Sequence, residues 1–450
     1  MDPYDTMTKI LKTAKKSGIQ SAAAGYRRTL RRMVRFSNNS ITVTNTWLSE
    51  TPTVYLVSSK RRAACIVEEQ DLSRLTEAVE ELARTMKLTP EGDTDFALPK
   101  GPFKYQPVEG TYDKRVENAE TELIDAVQLG IDAARKEGAV RSSGVVTSRV
   151  LERYVLTSEG AEGSDKSTEI AMTIRAFTND DASGQGIALA TSLDQFNAQQ
   201  AGRTAGRISK LALNPQPGEP GRYKVVFGPS IFANLLGRVG DSVSAYAVDL
   251  GFSFFQGMLN QQVASETFTL SDNARLPRSP GSTSLDDEGV PTRENLLINK
   301  GRLEGFLHSS YTAAKEKASL TGSASFEASI GGMTPDAHNI LVNPGESSFD
   351  DLIDLAQDGL YVTNNWYTRF QNYRTGDFST IIRDAAFRII NGRLAHPVKG
   401  LRLSDNMIRI LRSVKTLGSE RNWIKWWEVN TPTLTPYALV DGVGMTTANK

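Results

Sequence analysis

Along residues 5–17 the apolar positions Met7, Ile10, Leu11 and Ala14 recur at helical spacing and Gly18 stands where a helix would end, so an opening helix is expected. From Arg31 the period shortens. The runs MVRF, SITVTNTW, TPTVYLVS and RAACIVEE, broken by Ser-Asn-Asn-Ser and Ser-Ser-Lys-Arg-Arg, predict an antiparallel meander. Two helical segments follow: 71–88, with Leu72, Leu75, Val79 and Leu82 on one face, and 111–137, with Val116, Ala119, Leu123, Ala126 and Val127. They should cover one face of the sheet. Alternation returns in SGVVTSRVLERYVLTSEG, STEIAMTIRAFTND and GQGIALATS, then a helix near 193–211 runs into Asn-Pro-Gln-Pro-Gly-Glu-Pro-Gly at 214–221, the strongest linker signal in the chain.

Beyond that linker YKVVFGP reads as a buried strand, and IFANLLGRVGDSVSAYAVDLGFSFF is apolar enough for a helix, weakened by Gly237, Gly240 and Gly251. The Asn-Lys-Gly of ENLLINKGRLEGFLHSS and Asn391-Gly392 predict hairpin turns. The expected class is α+β: an N-terminal α/β domain with a mostly antiparallel sheet at 1–213, a linker at 214–221, and a β-rich, barrel-like domain at 222–450.

Composition supports a globular chain: of 450 residues, 39% are hydrophobic and 23% charged. Lys plus Arg equals Asp plus Glu at 52 each, so no global field draws the protein to nucleic acid or to an anionic membrane. The nine basic residues before residue 36, including Arg27, Arg28, Arg31, Arg32 and Arg35, are read as a solvated helix face. No apolar leader and no run of about 18 apolar residues is present, which points to a cytoplasmic protein.

A zinc hydrolase brings at least two imidazoles to one face, with a glutamate beside the first. Here His308, His338 and His396 are the three histidines, 30 and 58 residues apart, so no helix or hairpin turn pairs two of them. Cys65 alone excludes an internal disulfide and a cysteine-based cluster, and it reads as a small buried hydrophobe. Serine-hydrolase and phosphate-loop motifs are absent. Asp350, Asp351, Asp354 and Asp358 read as the acidic start of a helix capped by Ser347 or Ser348. Asp286-Asp287-Glu288-Gly289 is either a solvated turn or the edge of a cleft or cation site, and Trp423, Trp426 and Trp427 near Arg421 and Lys425 are either core or a stacking surface.

The block DDEGVPTRENLLINKGRLEGFLHSSYTAAK (286–315) resembles the D-x-E-G-x-x-T … G-x-L-x-G-x-L-x-S … A signature of TldD/PmbA proteins. NQQVAS (260–265), RTGDFS (374–379), PVKGLRLSDNMIRILRSV (397–414) and the segment entering GRYKVVFGP are similar to flanking family blocks in the same order. In that family the TldD-type member carries His-Glu-x-x-x-His on a helix before the Q-x-A-S step. A gapless alignment places Leu236 at the first histidine, Gly237 at the glutamate and Asp241 at the second histidine, and the family's cysteine ligand falls near 421–428, where this chain has none.

The resemblance therefore implies a PmbA (TldE)-type chain without a metal or catalytic residues of its own. It implies pairing with a zinc-bearing TldD-type subunit, or with itself, to handle an extended peptide held as an added strand. Asp287, Glu288, His308, Ser309 and Ser310, within the most family-like block, are the candidate lining of such a groove. A stand-alone homodimeric peptide-binding scaffold and a peptidase of unrecognised mechanism are the alternatives.

Overall fold

The computed structural model describes residues 2–67 and 72–447. Helix α1 (Pro3–Lys16) starts where Asp2 accepts hydrogen bonds from the amides of Tyr4 and Asp5, and it stops before Gly18 at φ +75°. Then β1 (Ser21–Ser37), β2 (Ser40–Ser58) and β3 (Arg61–Ile66) run into α2 (Leu72–Leu88), α3 (Lys114–Glu117), α4 (Thr121–Lys136), β4 (Arg141–Thr157), β5 (Glu162–Phe177), β6 (Ser183–Ala190) and α5 (Ala198–Leu211). The six strands form one sheet in the order β3-β2-β1-β4-β5-β6, every neighbouring pair antiparallel.

All the helices sit on one side of that sheet, because the apolar alternation of β1 selects a face. Ala22, Ala24 and Tyr26 pack with Met7, Ile10 and Leu75, while Val34 and Phe36 pack with Leu123, Val127 and Ala201. Helices α4 and α5 approach closely through small residues. A Cβ on Gly202 would lie 2.0 Å from the Gly130 carbonyl oxygen, so only glycine fits there.

Residues 214–221 join α5 to the second half and contribute β7 (Gln216–Pro217). Next come β8 (Gly221–Phe227), α6 (Pro229–Ser242), α7 (Ala245–Asp249), β9 (Leu270–Asn273), β10 (Glu294–Asn299), β11 (Arg302–Leu303), α8 (Ser310–Glu316), β12 (Ala324–Glu327), β13 (Gly332–Pro335) and β14 (Ile340–Val342). The chain finishes its described part with α9 (Phe349–Ala356), β15 (Gly359–Asn372), β16 (Asp377–Ile390), β17 (Arg393–Lys399), β18 (Leu401–Asn406), α10 (Met407–Arg412), β19 (Val414–Trp426) and β20 (Val429–Thr447).

The barrel expected from the sequence is present as a closed ring. β20 pairs β8, β8 pairs β15, β15 pairs β16, β16 pairs β18, and β18 returns to β20. Closure removes edges from these five strands, and the interior is filled by Val225, Phe227, Leu235, Phe378, Leu403 and Val440 among others. Both expected hairpin turns have left-handed residues: Lys300 and Gly301 at φ +43° and +80°, Asn391 and Gly392 at +50° and +68°.

Five expectations are corrected. The runs SITVTNTW and TPTVYLVS are one strand, β2, passing through Pro52; strand β1 begins ten residues before the expected Arg31, in the uninformative Ser-Ala-Ala-Ala. The arginines from Arg27 to Arg35 lie on β1 and alternate between sheet faces, so they form no helix face. The helix expected at 111–137 is split into α3 and α4, and the apolar segment after Phe227 is split into α6 and α7. In the helix expected at 71–88, Asp71 lies outside the described residues.

Candidate functional site

The acidic block does not form a solvated turn. Asp286, Asp287 and Glu288 are each less than a tenth exposed, at the seam between the N-terminal sheet and the second half of the chain. Asp286 accepts from the amides of Glu288 (3.0 Å), Val290 (2.8 Å) and Ala324 (3.0 Å). Asp287 pairs with Arg27 of β1 and Arg153 of β4 and accepts from the Phe326 amide at 2.8 Å. Arg153 also donates to Thr283 and to the Leu285 carbonyl. One carboxylate thus fastens two strands to the block.

These environments separate three neighbouring acids. Burial opposes ionisation of Asp287, but Arg27 and Arg153 outweigh it and hold the carboxyl below its ordinary range. Burial lifts Asp286 to about 6. Burial, then the charge of Asp286, lifts Glu288 to about 8, although Ser310 donates to it from its amide (2.8 Å) and hydroxyl (2.6 Å). Glu288 therefore holds a proton at neutral pH. Of the other candidates, Ser309 caps α8 with Thr312, and His308 is buried, its pKa lowered by that burial, with its amide donating to Thr321. The structure brings Asp287, Glu288 and Ser310 together, but all five residues are buried and offer little surface to a groove.

Helix α6 carries the three positions aligned with the family's zinc motif. Leu236 is fully buried in the barrel core, whereas nothing lies within 4 Å of where a Gly237 Cβ would stand. The Asp241 side chain is 62% exposed and pairs with Arg238 at 3.2 Å, yet burial is the first cause of its raised pKa. Asp336 behaves alike: burial, then the charge of Asp241, lifts it to about 6.

His338 and Arg149, with Arg153 and Asp165, line a cavity of about 130 Å³. Next to Arg149, Glu169 accepts from Lys425 at 2.6 Å across the same junction. Leu236 and Gly237 provide neither ligand nor base, and among the described residues no three His, Cys, Asp or Glu side chains are grouped to hold a metal ion. A zinc centre does not fit these residues.

One end of α6 carries an aromatic cluster. Trp427 lies 5.7 Å from Trp366, 5.5 Å from Tyr367 and 5.4 Å from Trp426. Trp366 in turn takes Arg175 and Arg383 at 4.7 and 5.1 Å from its ring. Tyr367 has a left-handed backbone, φ +59°, its amide held at 2.8 Å by Glu428, which also accepts from Asn234 of α6. Trp426 and Trp427 were evident in the sequence as a cluster; Trp366 and Tyr367 come from β15, 60 residues earlier, and no spacing could have joined them. Trp423 takes no part in these ring contacts among the described residues.

The chain matches the model of the PmbA/TldA metallopeptidase central domain over residues 116–213 and that of the PmbA/TldA metallopeptidase C-terminal domain over 220–447. A metalloprotease of Methanothermobacter thermautotrophicus is 28% identical over 301 residues, 64% of each chain. A metalloprotease of Archaeoglobus fulgidus is 34% identical over 207 residues, 45% of this chain and 46% of that one. The chain thus spans less than two thirds of the length of either relative. TldE from Thermococcus kodakarensis superposes with a TM-score of 0.87 at 21% identity, covering 98% of this chain and 100% of that chain. A Thermotoga maritima protein described as a modulator of a DNA gyrase gives 0.86 at 22%, with the same coverage. Two adjoining domain models that together take up most of the sequence place this chain in the PmbA/TldD metallopeptidase family.

Proposed function

We propose that this chain is a TldE-type subunit of a PmbA/TldD metalloprotease, without a metal of its own, that supplies an assembly interface and part of the channel for unfolded or small peptides. The observation that carries the reading is α6. By its alignment with the family's zinc-motif helix, it has Leu236 buried in the core, open space beside Gly237, and an exposed Asp241 paired with Arg238, where two ligands and a base would be needed. Zinc and the cleavage step then belong to a TldD-type partner. Asp241, Asp336, His338 and Arg149 are the side chains of this chain that would meet a peptide, while Asp287, Glu288 and Ser310 hold the walls together.

The test is purification of the chain alone and after mixing with a TldD-type chain, followed by metal analysis and assay on an unfolded peptide. Zinc and cleavage only in the mixture support the reading. Stoichiometric zinc with peptidase activity in the isolated chain would sink it. A stable homodimer that captures peptides and ignores the TldD-type chain would favour the scaffold reading instead.

A further inference from the structure

Antiparallel register assigns side chains to faces without ambiguity. Arg31 pairs with Trp47 on one side and Arg149 on the other, Met33 with Asn45 and Thr147, and Arg35 with Val43 and Val145, so these residues share the face opposite the helices. Four other arginines of this face have carboxylate partners: Arg27 and Arg153 on Asp287, Arg149 on Glu169, Arg175 on Asp384. Arg31 and Arg35 are exposed, and among the described residues no carboxylate lies within 4 Å of either; the nearby charge of Glu169 reaches Arg31, but that carboxylate is already paired directly with Arg149 and Lys425. Trp47 and Val43 beside them are 45% and 40% exposed.

The adjacent strand edge is also open. β3 pairs β2 only over Thr53–Ser58, and every residue from 40 to 49 of β2 is exposed. The stretch SITVTNTWLS contains no charge and no proline, the devices that usually guard an edge strand. The outer edge of these ten residues, whose other side is paired with β1, thus runs beside Arg31, Arg35 and the exposed Trp47 and Val43.

We propose that this arm receives an extended acidic polypeptide segment as an additional strand on the 40–49 edge of β2, its carboxylates answering Arg31 and Arg35. The two arginines are four residues apart on one strand, about 13 Å. The segment that fits has acidic residues at the same spacing on one face, with a residue between them opposite Asn45 that is apolar and flanked by Trp47 and Val43. A second copy of this chain fits less well, since its own edge brings no charge and leaves the arginines unanswered. Nucleic acid could use the two cations but not the main-chain donors and acceptors of the edge. The inference does not depend on whether a TldD-type chain exists.

The test uses the full chain and a labelled decapeptide with glutamates four apart, valine between them and threonine on the other face. Fluorescence anisotropy should show saturable binding, and amide exchange within residues 40–49 should slow on addition. Arg31→Glu with Arg35→Glu, both at exposed positions, should weaken binding at least about tenfold without changing the circular dichroism. Several results overturn the proposal: no binding, equal binding of a lysine-for-glutamate peptide, unchanged exchange at 40–49, or stronger binding of a single-stranded oligonucleotide of equal charge. Protection of 40–49 in the protein alone, rising with its concentration, would assign the edge to a second copy instead.

Discussion

Replacing Glu288 by Gln removes a carboxyl whose proton is held by burial beside another acid, Asp286. In the folded chain Glu288 titrates near 8, against an ordinary 4.5. The raised value means that the folded state binds the proton more tightly than the unfolded state. The associated stability is therefore fully present below about 4.5 and is lost as pH rises through about 8. At about 1.4 kcal/mol per pH unit, that interval sets a ceiling of about 5 kcal/mol on the loss. Asp286, lifted to about 6, adds a loss of the same sign over a lower window. Glutamine keeps the geometry, accepting from the Ser310 amide and donating to its hydroxyl, and cannot ionise. Urea denaturation of both proteins from pH 5 to 9 should give curves that nearly coincide at pH 5 and diverge with rising pH, Glu288→Gln becoming the more stable by several kcal/mol. Parallel curves would refute the assignment of a buried, protonated Glu288.

Arg153→Ala leaves Asp287 buried with Arg27 as its remaining ionic partner, and stability at pH 7 should fall by about 3 kcal/mol in denaturant titrations. The Asp287 contribution has the opposite pH sense to that of Glu288: its lowered pKa makes it present above about pH 4 and lost as pH falls below. Gly202→Ala drives a methyl into the Gly130 carbonyl, and the melting temperature should drop by the equivalent of about 1–3 kcal/mol. Burial pushes the Cys65 thiol up to about 11 from 9.0, so its alkylation rate at pH 8 should be on the order of a hundredfold below that of a free cysteine peptide. A rate close to the peptide's would contradict the placement of Cys65 on β3.

Local pattern was enough wherever one element decides its own structure. The Asn-Gly turn at 391, the Ser348-capped start of α9 and the helix spacing of Met7, Ile10 and Ala14 all express contacts within a few residues. Strand β1 was missed at its start because Ala22, Ala23 and Ala24 carry no alternation. Their packing is set by Val54, Leu56 and Tyr55, which arrive from β2. The acidic block is legible as chemistry, but whether it is wetted or buried depends on Arg27 and Arg153, more than a hundred residues away. The same applies to the aromatic cluster, half of which comes from β15. A sequence pattern reports on neighbours in the chain, and these sites are made by neighbours across it.

The ring of the barrel is closed by β20, which pairs with β8, β14, β18 and β19. During synthesis β8, β15, β16 and β18 leave the ribosome well before residues 429–447, so the barrel cannot close until that strand has emerged. The six-stranded sheet has all its strands by residue 190 and can form first. In the interval β8 and β18 each lack one lateral partner, and exposed edges of that kind invite pairing with other nascent chains. The order of elements therefore gives this protein a late vulnerable period in its biogenesis, confined to one half of the molecule.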